Sequence, residues 1–131
     1  MISPEQRQEL IRMRLEQAHA TARSAELLFD NGDARGALNR LYYSMFYAVS
    51  ALALRDNFQT SKHGQLLGWF NKNFVKTGVF EPVMYRILSN AFDRRTDADY
   101  EIKPLPEDST IPVMIEQMKF FIAQIEAYLQ S

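Results

Sequence analysis

The stretch Arg94-Arg95-Thr96-Asp97-Ala98-Asp99-Tyr100 is the most unusual local feature of this chain. At about 100° per residue of helix, Arg95 shares an arc with Met84, Leu88 and Ala91, and Asp99 follows one turn later at i, i+4. A guanidinium on an apolar face must be paired or must hold an anion. One reading is an internal Arg95–Asp99 ion pair that fixes a helix end. The other is an anion or phosphate site in a cleft, because the planar fork of arginine can hold two phosphate oxygens. Arg94 falls on the flank, where solvent accounts for it. Asp97 and Asp99 are two residues apart, which on a helix points them about 200° apart and gives no shared metal site.

A second group lies in Arg40–Leu54, RLYYSMFYAVSALAL. Arg40, Tyr43 and Tyr47 line one side of it. Tyrosine and arginine planes stack on bases in single-strand binders, with arginine also reaching phosphate. The same residues also suit aromatic packing at a dimer face. His63, in TSKHGQ, could move a proton, since an unperturbed imidazole titrates near about 6.5. No carboxylate at fixed spacing orients it, and a capping or surface histidine is the plainer reading. Lys62 beside it adds charge at a helix start, where anions are already favoured. His19 reads as solvated. Two histidines this far apart suggest no zinc site, and no Gly-rich phosphate loop or Ser–His–Asp order stands out.

The elements that must position these residues are helices. Ser3, Pro4 and Gln6 form a start signal with a capping box. Ile11, Leu15, Ala18, Ala22, Ala25 and Leu28 then recur at helical spacing, predicting a helix over 4–30 that stops at Asn31-Gly32. Asp33 caps a second helix running to about Arg55, so the first two should form an antiparallel hairpin. The second carries a core arc of Leu38, Leu41, Tyr42, Met45, Val49 and Leu52. Its opposite side is also apolar, with Tyr43, Tyr47, Ala51 and Leu54. A helix apolar nearly all round is wrapped by its own domain or by a partner. The expectation is both, with Tyr43, Tyr47 and Leu54 facing a second copy. Thr60 or Ser61 should cap a third helix over about 62–76, ended by Thr77-Gly78. Pro82 starts a fourth. The proline-rich run 103–112 reads as a loop, and a fifth helix follows over about 110–130.

These five helices without a strand pattern predict an all-α bundle, one domain over 1–131. The bulk numbers agree. A chain of 131 residues with 47% hydrophobic and 24% charged residues is ordinary for a globular domain. A net charge of −1 argues against a protein that coats nucleic acid by bulk charge. The absence of cysteine removes disulfides, thiolate metal sites and cysteine nucleophiles. The opening MISPEQRQEL lacks the apolar run of a secretory leader, and no run approaches the roughly 20 residues of a membrane span. The expectation is a cytoplasmic protein with no cofactor, no metal and no membrane contact.

The second helix, ALNRLYYSMFYAVSALAL, resembles the Ala-x-x-Arg-x-Tyr-Tyr-x-x-Phe motif of the prokaryotic HEPN domains, matched by Ala37, Arg40, Tyr42, Tyr43 and Phe46. Ser61-Lys62-His63-Gly64 resembles the family's Ser-x-His-Gly start of helix three. Arg95-Thr96-Asp97-Ala98-Asp99-Tyr100 resembles the Arg-x-x-Ala-Asp-Tyr motif of a stand-alone branch. The resemblance implies a five-helix bundle that dimerises, commonly beside a minimal nucleotidyltransferase, in toxin–antitoxin or defence modules. Many such proteins are metal-independent RNases. In those, an Arg holds the scissile phosphate and a His, four to six residues on, moves the proton for attack by the RNA 2′-hydroxyl. Here residues 100–102 read Tyr-Glu-Ile, so that His is missing and Tyr100 stands in the nearest equivalent place. Three readings therefore stay open. The first is a dimeric module that binds nucleotide or RNA in a cleft through Arg40, Tyr43, Lys62, Arg95 and Asp99. The second is a ribonuclease toxin using Arg95 with Tyr100 or His63. The third is a structural adaptor without catalysis.

Overall fold

The computed structural model describes residues 1–107 and 109–131. Among these there are five α-helices and no strand: α1 Pro4–Asp30, α2 Ala34–Arg55, α3 His63–Phe70, α4 Pro82–Asp99 and α5 Thr110–Gln130. The all-α expectation holds. Its ends are set by the predicted local chemistry. Ser3 and Gln6 close a reciprocal capping box on α1. Gly32 takes φ +84°, a left-handed conformation that glycine adopts without steric cost. The Asp33 side chain then accepts from the Gly36 N–H to start α2.

α2 is the central element, packed against α1, α3, α4 and α5. Leu38, Leu41, Tyr42, Met45, Val49 and Leu52 are each at most 1% exposed. α1 lies antiparallel along its length, which its buried small side chains Ala18, Ala22 and Ala25 permit. Where α1 begins, the Arg7 guanidinium donates to the Leu54 carbonyl at 2.8 Å, satisfying an end of α2 that would otherwise lack a partner. Ala51, expected on the side of α2 turned to a second copy, is fully buried within the chain. That side is therefore partly core, because a 27-residue α1 spans the whole of α2.

Two local expectations are corrected. Neither Thr60 nor Ser61 caps α3: the N-cap is Lys62, with no side-chain cap. Thr60 is engaged otherwise, accepting from the Lys62 N–H and donating to Gln65. The third helix is also not α-helical through residue 76. After Phe70 it widens into a π-helical turn, Asn71–Val75, closed by the Lys76 N–H on the Asn71 carbonyl at 2.8 Å. Residues 102–107 are non-helical, as the prolines require. Asp108, within the predicted 103–112 loop, lies outside the described residues. Among the described residues no helix is long and apolar enough to cross a membrane.

Candidate functional site

Arg95 stands on the inner side of α4 because Met84, Leu88 and Ala91, on the same arc, are buried. Its side chain is 17% exposed. One terminal nitrogen donates to the Tyr43 hydroxyl at 2.6 Å. The guanidinium carbon lies 5.0 Å from the Tyr43 ring centroid and 5.4 Å from that of Tyr42. Nε is 3.0 Å from Asp99 Oδ2, the pair that the i, i+4 spacing suggested. That approach is charge against charge, since the buried Nε–H is not aimed for a hydrogen bond. Thr96 Oγ1 beside it is likewise buried without a partner. Arg95 is thus paired, but its donor capacity is not used up.

α2 supplies the facing wall. Tyr42 is fully buried, and Tyr43 packs edge-on against it at 5.2 Å between ring centres. Arg40 places its guanidinium carbon 5.2 Å from the Tyr43 ring, so Tyr43 carries two arginines near its π system. Asn39 joins these groups. Its carbonyl oxygen accepts from Arg40 Nε and a terminal nitrogen at 2.9 and 2.7 Å, and its amide donates to Asp99 Oδ2 at 3.2 Å. Arg35 donates to the Ala98 carbonyl and lies 3.9 Å from Glu101, tying the start of α2 to the end of α4. Asn39 and Arg35 were not foreseen from sequence. Their partners sit about sixty residues away, and no spacing rule reaches that far.

His63 enters from the start of α3. Its ring stacks on Phe46 at 4.5 Å and 19°, and lies 5.6 Å from the Tyr43 ring. Nδ1 is 2.7 Å from the Tyr42 hydroxyl. The histidine read from sequence as a surface or capping residue is therefore part of the same cluster as Arg95. Burial, and secondarily the Arg95 charge, lower its pKa, so it is neutral at pH 7. Burial pushes the Tyr42 phenol well above its ordinary value, against the opposing pull of Arg95.

The remaining candidates lie at the edge of the cluster or beyond it, with the Tyr47 ring 6.2 Å from Tyr43 and 6.0 Å from Phe46. Tyr100 is 73% exposed at the C-cap of α4. Its N–H closes on the Thr96 carbonyl, so it continues the turn of α4 about 140° round from Arg95, with its ring in solvent. Lys62 is exposed beside His63. Tyr47 and Leu54, further along α2, are half-buried and line a cleft of about 370 Å³ with Arg14, Phe46, Ser50 and Phe58. Tyr43, assigned by sequence both to ligand and to a dimer face, is engaged within its own chain by Arg95. His19 is not merely solvated: its Nε2 meets the Glu126 carboxylate at 3.0 Å, pinning α1 to α5. Among the described residues no three carboxylate or imidazole side chains gather as metal ligands.

The cluster thus brings together one guanidinium with spare donors, a second at its edge, a neutral imidazole and two tyrosines packed edge-to-face. These groups can hold a phosphate and pack a base. Comparison with known proteins places the architecture. Residues 11–128 match the model of the HEPN domain. A UPF0332 protein of Thermotoga maritima is 34% identical over 82% of this chain and 81% of its own length. Two Methanocaldococcus jannaschii proteins, both named as candidate toxins, are 31% and 29% identical. They match over 94% and 89% of this chain, and 91% and 75% of their own lengths. With its helix order and the Arg40, Tyr42, Tyr43 and Arg95 positions all within the matched span, the chain belongs to the HEPN domain family.

Proposed function

We propose that this chain is a dimeric HEPN module of a toxin–antitoxin or defence system, working in the cytoplasm with a minimal nucleotidyltransferase and binding RNA or nucleotide in a cleft. The observation that carries the proposal is Arg95. A guanidinium packed against the Tyr42 and Tyr43 rings, whose terminal nitrogens make one hydrogen bond among the described residues, to the Tyr43 hydroxyl, has donors left for a phosphate oxygen. Arg40 beside the Tyr43 ring and the exposed Lys62 beside His63 add positive charge around the cluster. The toxin names of two relatives support the setting. Tyr47 and Leu54, left half-buried along α2, support a face for the second copy.

The test is binding of a single-stranded RNA as salt is raised. Affinity should fall steeply, with a log–log slope of about −0.7 for each phosphate held, and Arg95→Ala should reduce both affinity and slope while helix content is kept. Unchanged binding in that variant sinks the site. A nucleotidyltransferase encoded beside this chain should co-purify with it. Tyr47→Glu should yield a monomer by light scattering, and a variant that stays dimeric moves the interface elsewhere.

A second reading is favoured by one specific contact. His63, not Tyr100, shares the tyrosines with Arg95. A metal-independent ribonuclease would use Arg95 on the phosphate and His63 on the proton. RNA cut in the presence of chelator, and left intact by Arg95→Ala and His63→Ala, would establish it. Binding without cutting returns the first reading, and neither outcome leaves the structural adaptor.

A further inference from the structure

The contact between Tyr42 and His63 bears on where one proton sits. The Tyr42 ring is fully buried, and its hydroxyl has a single hydrogen-bond partner among the described residues, His63 Nδ1 at 2.7 Å. If the phenol accepts from Nδ1–H, its own O–H is stranded in the core. If it donates, only an acceptor is under-used. Orphaned buried donors are the rarer and costlier state, so the donating arrangement prevails. A neutral imidazole that accepts at Nδ1 must carry its proton on Nε2. Nε2 has no protein partner among the described residues, and the ring is only half-buried.

We infer that Tyr42 is a positioning residue whose hydroxyl locks His63 in the Nε2–H tautomer, so that His63 presents a neutral donor, beside Arg95, for a phosphate oxygen. The ligand half of this inference rests on the proposed binding of RNA or nucleotide; the tautomer half does not. The arrangement suits a site that already contains a guanidinium. An imidazolium would repel Arg95, whereas a neutral N–H adds a hydrogen bond without a second cation. The same tautomer makes His63 a poor base at Nε2, because that nitrogen already holds its proton. Reversing it strands the Tyr42 O–H. The ligand class is therefore a phosphate of nucleic acid held by Arg95 and His63 together.

Ring nitrogen spectra of the ¹⁵N-labelled full chain at pH 7.5 read the tautomer without any ligand. Wild type should show an unprotonated Nδ1 and a protonated Nε2. Tyr42→Phe, which keeps the ring and removes the O–H, should shift His63 toward a mixture of both forms. A protonated Nδ1 in the wild type overturns the tautomer. Binding is then read with a 2′-O-methylated single-stranded oligoribonucleotide, which cannot be cut through its 2′-position. His63→Ala should weaken binding about tenfold, the loss of one hydrogen bond to a charged group. His63→Gln, whose amide N–H reaches the Nε2 position, should restore most of it. A glutamine variant as weak as the alanine one overturns the donor role. Failure of the wild type to bind the oligonucleotide at low salt overturns that role together with the proposed function, and a correct tautomer in the same sample identifies which part failed.

Discussion

Two aromatic clusters lie within the core, and each holds an arginine at its margin. One comprises Phe70, Phe74, Phe80, Phe121 and Tyr128, with ring centres 5.6–6.1 Å apart. Arg55 lies 4.9 Å from the Tyr128 ring, donates to its hydroxyl at 2.9 Å and pairs with Asp56. The other comprises Tyr42, Tyr43, Phe46, His63 and Phe92, with Arg95 and Arg40. The ingredients are nearly the same; what differs is where the charge sits. Arg55 is 46% exposed and solvated, so its cluster is core with a polar rim. Arg95 is 17% exposed, with a buried N–H left over, and a titratable ring stands beside it. A cation–aromatic contact alone does not mark a site. A cation with free terminal donors inside an aromatic wall is a candidate for one, because its planar fork can take an anion.

The sharpest way to break this contrast is Phe121→Ala. Phe121 is fully buried against Phe70, so its removal should cost about 3–5 kcal/mol in urea unfolding. The folded fraction should bind RNA with unchanged affinity per molecule. Weakened binding in folded protein would join the two clusters into one functional unit. A smaller effect is expected at Arg55→Ala. One exposed cation–aromatic contact is worth about 0.5–1 kcal/mol, and neither the RNA affinity nor its salt slope should move. A drop in slope there would place a phosphate contact at the second cluster.

The smallest effect is in pH. His63 has a folded-state pKa below the unfolded value of about 6.5. In the window between the two, the unfolded chain holds a proton that the folded chain refuses. Stability therefore rises with pH through that window and is lost as pH falls below about 6.5, levelling off once the folded imidazole protonates. Denaturant midpoints from pH 5 to 8 should show this decline in the wild type, and His63→Gln should flatten it. An identical decline in the variant would assign it to groups other than His63.

The residues of the candidate site were legible in unequal degree. Arg95 and Asp99 were visible because both lie on one helix, where i, i+4 spacing and the arc shared with Met84 and Leu88 follow from helical geometry alone. His63 was kept as a possible proton carrier beside a plainer capping or surface role, because the residues that hold it, Tyr42, Tyr43 and Phe46, lie on another helix. Tyr100 occupied the expected place by count, yet five residues past Arg95 is about 140° further round a helix, so the count does not bring its ring beside the guanidinium.

What the sequence by itself determined was local: the caps at Ser3 and Asp33, the stop at Gly32, the helical stripes and so the all-α bundle. Those depend on interactions spanning three or four residues, which the chain writes in order. Only the tertiary structure decided that Ala51 is core, that His63 and not Tyr100 meets the tyrosines beside Arg95, and that Asn39 bridges Arg40 to Asp99. Such contacts join segments 21 to 60 residues apart, and they exist only once close packing brings the helices together and excludes the alternatives.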